Sequence, residues 1–105
     1  MAGYPESSEA LSAQTLDMHR AILSLMEELE AIDGYNQRAA VCTDTNLKAL
    51  LEHNRDEEKE HTAMLLEWIR RQDTRFANTL KDYLFTEKPI AHSSAANQPA
   101  EEDRL

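Results

Sequence analysis

Asn54-Arg55-Asp56-Glu57-Glu58-Lys59-Glu60-His61 lies within a run of apolar residues at helical spacing, and its phase decides what fold the chain makes. Set Leu50 at 0° on a helix turning about 100° per residue. Trp68 then falls at about 0°, Leu47 and Leu65 at about 60°, and Leu51 and Ile69 at about 100°. Glu58 falls at about 80°, His61 at about 20° and Asn54 at about 40°, all inside the same stripe. Lys59 and Asp56, at about 180° and 240°, fall outside it. An ionised carboxylate removed from water without a partner costs roughly several kcal/mol. A Glu-x-x-His pair projecting into an apolar stripe therefore needs a compensating charge, and a metal ion supplies one.

Working outward, the periodicity predicts two long helices and a short one. The first begins at Ser7 or Ser8, with Glu6 and Glu9 at its positive end, and runs to about Gln37. Its stripe is Leu11, Met18, Ile22, Leu25, Leu29 and Ile32. Gly34 costs about 1 kcal/mol in a helix interior and is expected to weaken the last turn. Ala40-Val41-Cys42-Thr43 forms the connection, and Asp44 caps a second helix that runs through Arg71. Asp73 caps a third, over Thr74 to Phe85, carrying Phe76, Leu80, Tyr83 and Leu84, with Pro89 closing it. A short link between two long helices makes an antiparallel hairpin.

Two helices and a stub cannot enclose their own apolar stripes. The expected class is therefore all-α, a hairpin plus a short C-terminal helix that completes a four-helix bundle only by dimerisation. Residues 1–6 are expected to be a flexible N-terminus, 7–90 the helical domain and 91–105 a disordered tail rich in Ser, Ala, Asn and acid.

The composition of the 105 residues agrees. Two Gly and three Pro suit helices, and a net charge of −9 argues against nucleic acid. No apolar run approaches the ~20 residues of a membrane span. The single Cys42 forms no intrachain disulfide and fits a reducing compartment. Met1 to Glu6 lack the pattern of a secretory signal. A cytoplasmic protein is expected, without membrane or nucleic-acid partners.

A second acidic cluster, Met26-Glu27-Glu28-Leu29-Glu30, lies on the first helix. With Leu25 at 0°, Glu28 falls at about 300° and Tyr35 at about 280°, toward the helical interface. Glu27 and Glu30, at about 200° and 140°, point away. Carboxylate bundle proteins build a di-iron site from two single Glu residues and two Glu-x-x-His motifs. Glu28, Glu58 and His61 are half of that set, and a two-fold axis supplies the other half.

Simpler readings stand beside this one. Glu-x-x-His alone is a weak motif, and residues 55–60 also suit a solvated face of i,i+4 pairs. Tyr35 and Trp68 read as core, and Met18, Met26 and Met64 as gap fillers. His19, His53 and His92 read as surface residues, and Cys42 as incidental.

Several blocks taken together, Met26 to Asp33, His53 to His61, Leu66-Glu67-Trp68-Ile69-Arg70-Arg71 and Tyr83-Leu84-Phe85-Thr86-Glu87, resemble the encapsulated ferritins. The likeness covers about residues 11 to 90. It implies a ring of dimers, typically a decamer, with a ferroxidase centre between two subunits. Glu28, Glu58 and His61 would be the iron ligands, with Glu58 of each chain bridging two irons and Tyr35 beside them. Glu27 and Glu30 match the family's outer acidic residues, where cations dock on their way in. Calcium or zinc would be accepted by the same donors in crystals.

The resemblance further implies oxidation of Fe(II) to Fe(III) by dioxygen, with storage left to an encapsulin nanocompartment around the ring. The chain departs from the family at Gly34, where Trp is common, and its tail lacks the Gly-Ser-Leu-rich apolar targeting peptide of encapsulin cargo. The contrasting reading is a non-catalytic helical assembly or cargo adaptor with a structural divalent-metal site.

Overall fold

Ser12, rather than Ser7 or Ser8, starts the first long helix in the computed structural model, which describes residues 5–94. The Ser12 backbone is extended (φ −68°, ψ 159°), and its Oγ accepts the Thr15 N–H at 3.1 Å while pairing with the Thr15 hydroxyl at 2.9 Å. This is a side-chain cap with a polar partner at the third helical position. Ser7 makes no such bond, and Ser8–Ala10 forms a single 3₁₀ turn that ends where Leu11 turns extended. The expected start was thus four or five residues too early, because three serines compete and only Ser12 has the reciprocating threonine.

Helix α1 spans Ala13–Val41 and continues past the expected end at Gln37. Gly34 sits inside it without a break and without positive φ. Its cost of about 1 kcal/mol is carried by a cooperative helix whose next residues include Arg38, Ala39 and Ala40. The nearest side-chain atoms to a Cβ at position 34 would be those of the Arg38 guanidinium, at 3.6–3.7 Å, which is ordinary contact. Gly34→Ala is therefore expected to stabilise the fold by roughly 0.5–1 kcal/mol, read as a raised denaturant midpoint at fixed protein concentration. A lowered midpoint would show that the space over Gly34 is used by something else.

Helix α2 spans Thr45–Gln72. Asp44 caps it as expected, its Oδ1 accepting the Leu47 N–H at 2.8 Å. Helix α3 spans Thr74–Tyr83 and is capped by Asp73, whose Oδ1 accepts the Phe76 N–H at 2.8 Å. It stops two residues before the expected Phe85. The Leu84 N–H closes the last turn on the Leu80 carbonyl, and Phe85 turns left-handed at φ 55°. The described residues form helices and turns with no strand, so the all-α class holds.

The chain divides into two compact units at Ile69/Arg70, within α2. In the first, two cross-helix contacts establish the direction of the hairpin. Asn36 of α1 meets Arg55 of α2, and Glu28 meets His61. The position falls by eight on α1 as it rises by six on α2, so the helices run antiparallel.

Little of this unit's apolar surface is buried. Ala21, Ala39 and Ile69 are the buried apolar residues among those described. Ile22, Met26 and Leu29 on α1, and Leu47, Leu50, Met64 and Trp68 on α2, stay 37–57% exposed. No helix of the described residues is long and apolar enough to cross a membrane.

In the second unit the segment after α3 folds back on it. The His92 ring stacks on Tyr83 at 4.4 Å between centroids, and the Tyr83 hydroxyl donates to the His92 carbonyl. Both ring nitrogens of His92 face backbone oxygens, Nδ1 that of Pro89 at 2.6 Å and Nε2 that of Asp82 at 3.1 Å. Ser94, almost fully buried, donates to the Asp82 carboxylate at 2.7 Å. His92 is therefore a packing residue rather than the surface residue expected, because its ring stacks on Tyr83 and a ring N–H can supply a donor to a backbone carbonyl. Residues 1–4 and 95–105, and with them most of the expected N-terminus and tail, lie outside those described.

Candidate metal centre

Glu28 is carried by the middle of α1, and Glu58 and His61 by facing turns of α2. The spacing of three puts the last two on one side of their helix, and the antiparallel register brings Glu28 opposite them. One donor atom from each residue lies within 4.8 Å of the others. His61 Nδ1 stands 3.4 Å from Glu58 Oε2 and 3.6 Å from Glu28 Oε2. The Glu28 and Glu58 side chains are 25% and 22% exposed, and that of His61 46%.

Glu28 Oε2 is buried and has no hydrogen-bond partner. The 3.6 Å approach of His61 is too long to be one. Two ionised carboxylates about 5 Å apart repel by on the order of 3 kcal/mol at an effective dielectric near 20. A single cation between them reverses that sign. Two donors bound at a right angle about 2.1 Å from one ion stand about 3 Å apart, so small side-chain rotations close this cluster on a metal. Two carboxylates and an imidazole suit iron and other borderline divalent ions. The donor set and the orphaned oxygen fit a bound cation.

The other expected residues are not among these three gathered donors. Glu27 and Glu30 are exposed on the outer side of α1, as their phase requires. Tyr35 is half-buried, with the Arg38 guanidinium 5.4 Å over its ring. Asn54 is half-buried on α2. His53, read as a surface residue, is exposed and pairs at 3.0 Å with the exposed Glu57.

Two neighbours of the cluster escaped the sequence reading. Thr62 Oγ1 donates to the Glu58 carbonyl at 2.8 Å, back-bonding the turn that carries Glu58. Arg55, read as part of a solvated face, has a side chain only 22% exposed. It donates to Asn36 Oδ1 on α1 at 3.2 Å and to Asp56 Oδ1 at 3.0 Å. That bond, ahead of a weaker one from Lys59, holds the Asp56 carboxyl below its ordinary range. The usable signal was Asn36, which falls at about 20° with Leu25 at 0°, a polar residue in the stripe facing α2.

The chain is similar to known proteins over most of its length. The profile of the family described as EncFtn-like matches residues 3–87. An encapsulated ferritin-like protein of Rhodospirillum rubrum is 55% identical over 96 residues, which cover 91% of this chain and 69% of that protein. A ferritin-like protein of Thermotoga maritima is 48% identical over 87 residues, covering 83% and 76%. The crystal structure of protein ne0167 from Nitrosomonas europaea superposes with a TM-score of 0.82 at 69% identity, covering 86% of this chain and 99% of that one.

Proposed function

The chain belongs to the EncFtn-like family, and on that premise we propose that it is a ferroxidase whose di-iron site forms between two copies. The observation that carries this reading is the cluster of Glu28, Glu58 and His61 around an unpartnered buried carboxylate oxygen. Three donors leave an iron ion short of its usual coordination, and a second copy related by a two-fold axis brings the same three. The half-exposed apolar residues on α1 and α2 supply the reason for a second copy to bind.

Fe(II) is the substrate, and each ion bound there gives one electron to dioxygen. The two carboxylates of each half favour the product, because added negative charge stabilises Fe(III) more than Fe(II). His61 contributes a neutral nitrogen donor and Glu58 an oxygen on the same helix face. Glu27 and Glu30, exposed on α1, attract cations toward the pair. An encapsulin shell around the assembly accords with the name of the encapsulated ferritin-like relative from Rhodospirillum, and a ring of dimers, a decamer in the family's manner, belongs to the same proposal.

The test joins mass to activity. Analytical ultracentrifugation with and without Fe(II) should find a dimer or larger species, and stopped-flow mixing with dioxygen should give rapid oxidation. A fully active monomer would overturn the shared site. Metal binding without dioxygen-dependent oxidation would leave a structural divalent site and a non-catalytic assembly. The double variant Glu27→Ala/Glu30→Ala is expected to slow oxidation at low Fe(II) while keeping the saturated rate. Unchanged kinetics throughout would remove those residues from the path of the ion.

A further inference from the structure

The cluster of Glu28 and Glu58 is self-repelling before a cation arrives, so something outside it has to hold α1 and α2 in register. Apolar packing alone does this poorly here, since most of the stripe is half-exposed in the single chain. Arg55 Nη1 on α2 donates to Asn36 Oδ1 on α1 at 3.2 Å, a side-chain hydrogen bond that ties the two helices together. Arg55 lies just under one turn, about 4.5 Å of rise, from Glu58, and less than two turns from His61. Asn36 lies about 12 Å along α1 from Glu28. Rotating or sliding α2 to break Arg55 from Asn36 therefore carries Glu58 and His61 away from Glu28.

We infer that Arg55, bonded to Asn36, is a positioning residue that pre-organises the metal ligands by locking the register of the hairpin. This rests on the reading of Glu28, Glu58 and His61 as ligands. Asp56 takes a second guanidinium bond at 3.0 Å, which orients the fork so that Nη1 points across to α1. Neither Arg55 nor Asn36 touches the donor atoms. Their effect is on the cost of assembling the donors, which reads out as metal affinity.

The experiment titrates the full chain with Co(II), whose visible absorption reports the donor set without turnover. Loss of the Co(II) band in Glu58→Gln establishes the site being read, and its persistence there would refute the ligand assignment itself. With the site established, Asn36→Ala is expected to weaken Co(II) binding roughly 10-fold, at unchanged helical content and mass. Asn36→Asp, which keeps an oxygen acceptor for Arg55, should bind as tightly as the parent protein or tighter. Parental affinity in Asn36→Ala would overturn the inference. So would equal weakening in both variants, or a lowered unfolding midpoint with unchanged affinity.

Discussion

Glu58→Ala is expected to lower the rate of dioxygen-dependent Fe(II) oxidation by roughly 100-fold or more while leaving the helices folded. The expectation follows from the place of Glu58 among the three gathered donors. It approaches His61 to 3.4 Å on its own helix and gathers with Glu28 across the hairpin. The alanine leaves one carboxylate and one imidazole in each copy, too few to hold an ion against water.

The sign of the stability change separates this role from a structural one. In the metal-free protein the loss of Glu58 removes a repulsion between partly buried carboxylates, so the variant should be as stable as the parent or more so. With metal present the order inverts, because only the parent gains stability by binding. The two unfolding midpoints, each taken with a chelator and with Co(II), check both signs. Rapid oxidation retained in the variant would refute the assignment.

A second large effect is expected at Leu50, far from the donors. Leu50 lies on the apolar stripe of α2 and is 54% exposed in the single chain. On a free surface, Leu50→Asp would change stability by no more than about 0.5 kcal/mol. If a second copy covers the stripe, the variant buries an unpaired charge at a cost of roughly several kcal/mol per site, doubled by symmetry. The variant should then sediment as a monomer and lose iron oxidation together with its assembly, although Glu28, Glu58 and His61 are intact. An assembled, active Leu50→Asp protein would place the interface elsewhere. Leu50→Met, similar in volume, should keep both properties and controls for position.

How far the sequence could be read depended on whether local chemistry or long-range contact set the outcome. Asp44 and Asp73 cap their helices as expected, since an aspartate before an apolar-periodic run has one strong use for its carboxylate. The start of α1 was misplaced because Ser7, Ser8 and Ser12 look alike locally, and only the bond to Thr15 separates them. Helix α1 runs past the expected end at Gln37 because the apolar stripe stops there while Arg38, Ala39 and Ala40 are strong helix formers that extend the helix to Val41. His92 looked like surface because its partners, the carbonyls of Asp82 and Pro89, are backbone atoms that no side-chain pattern advertises.

The cluster in the Asn54–His61 stretch divides along the same line. Sequence by itself determined that Glu58 and His61 share one helix face and that Glu28 leans inward, because helical phase is local geometry repeated every residue. It also determined the all-α class, through period, caps and the scarcity of Gly and Pro.

Only the tertiary structure decided that Glu28 stands opposite Glu58 and His61, with donor atoms within 4.8 Å and one buried oxygen left unpartnered. That outcome depends on the register of α2 against α1. Register is set by the sum of cross-helix contacts, Arg55 with Asn36 among them, and no periodicity along a single helix encodes it.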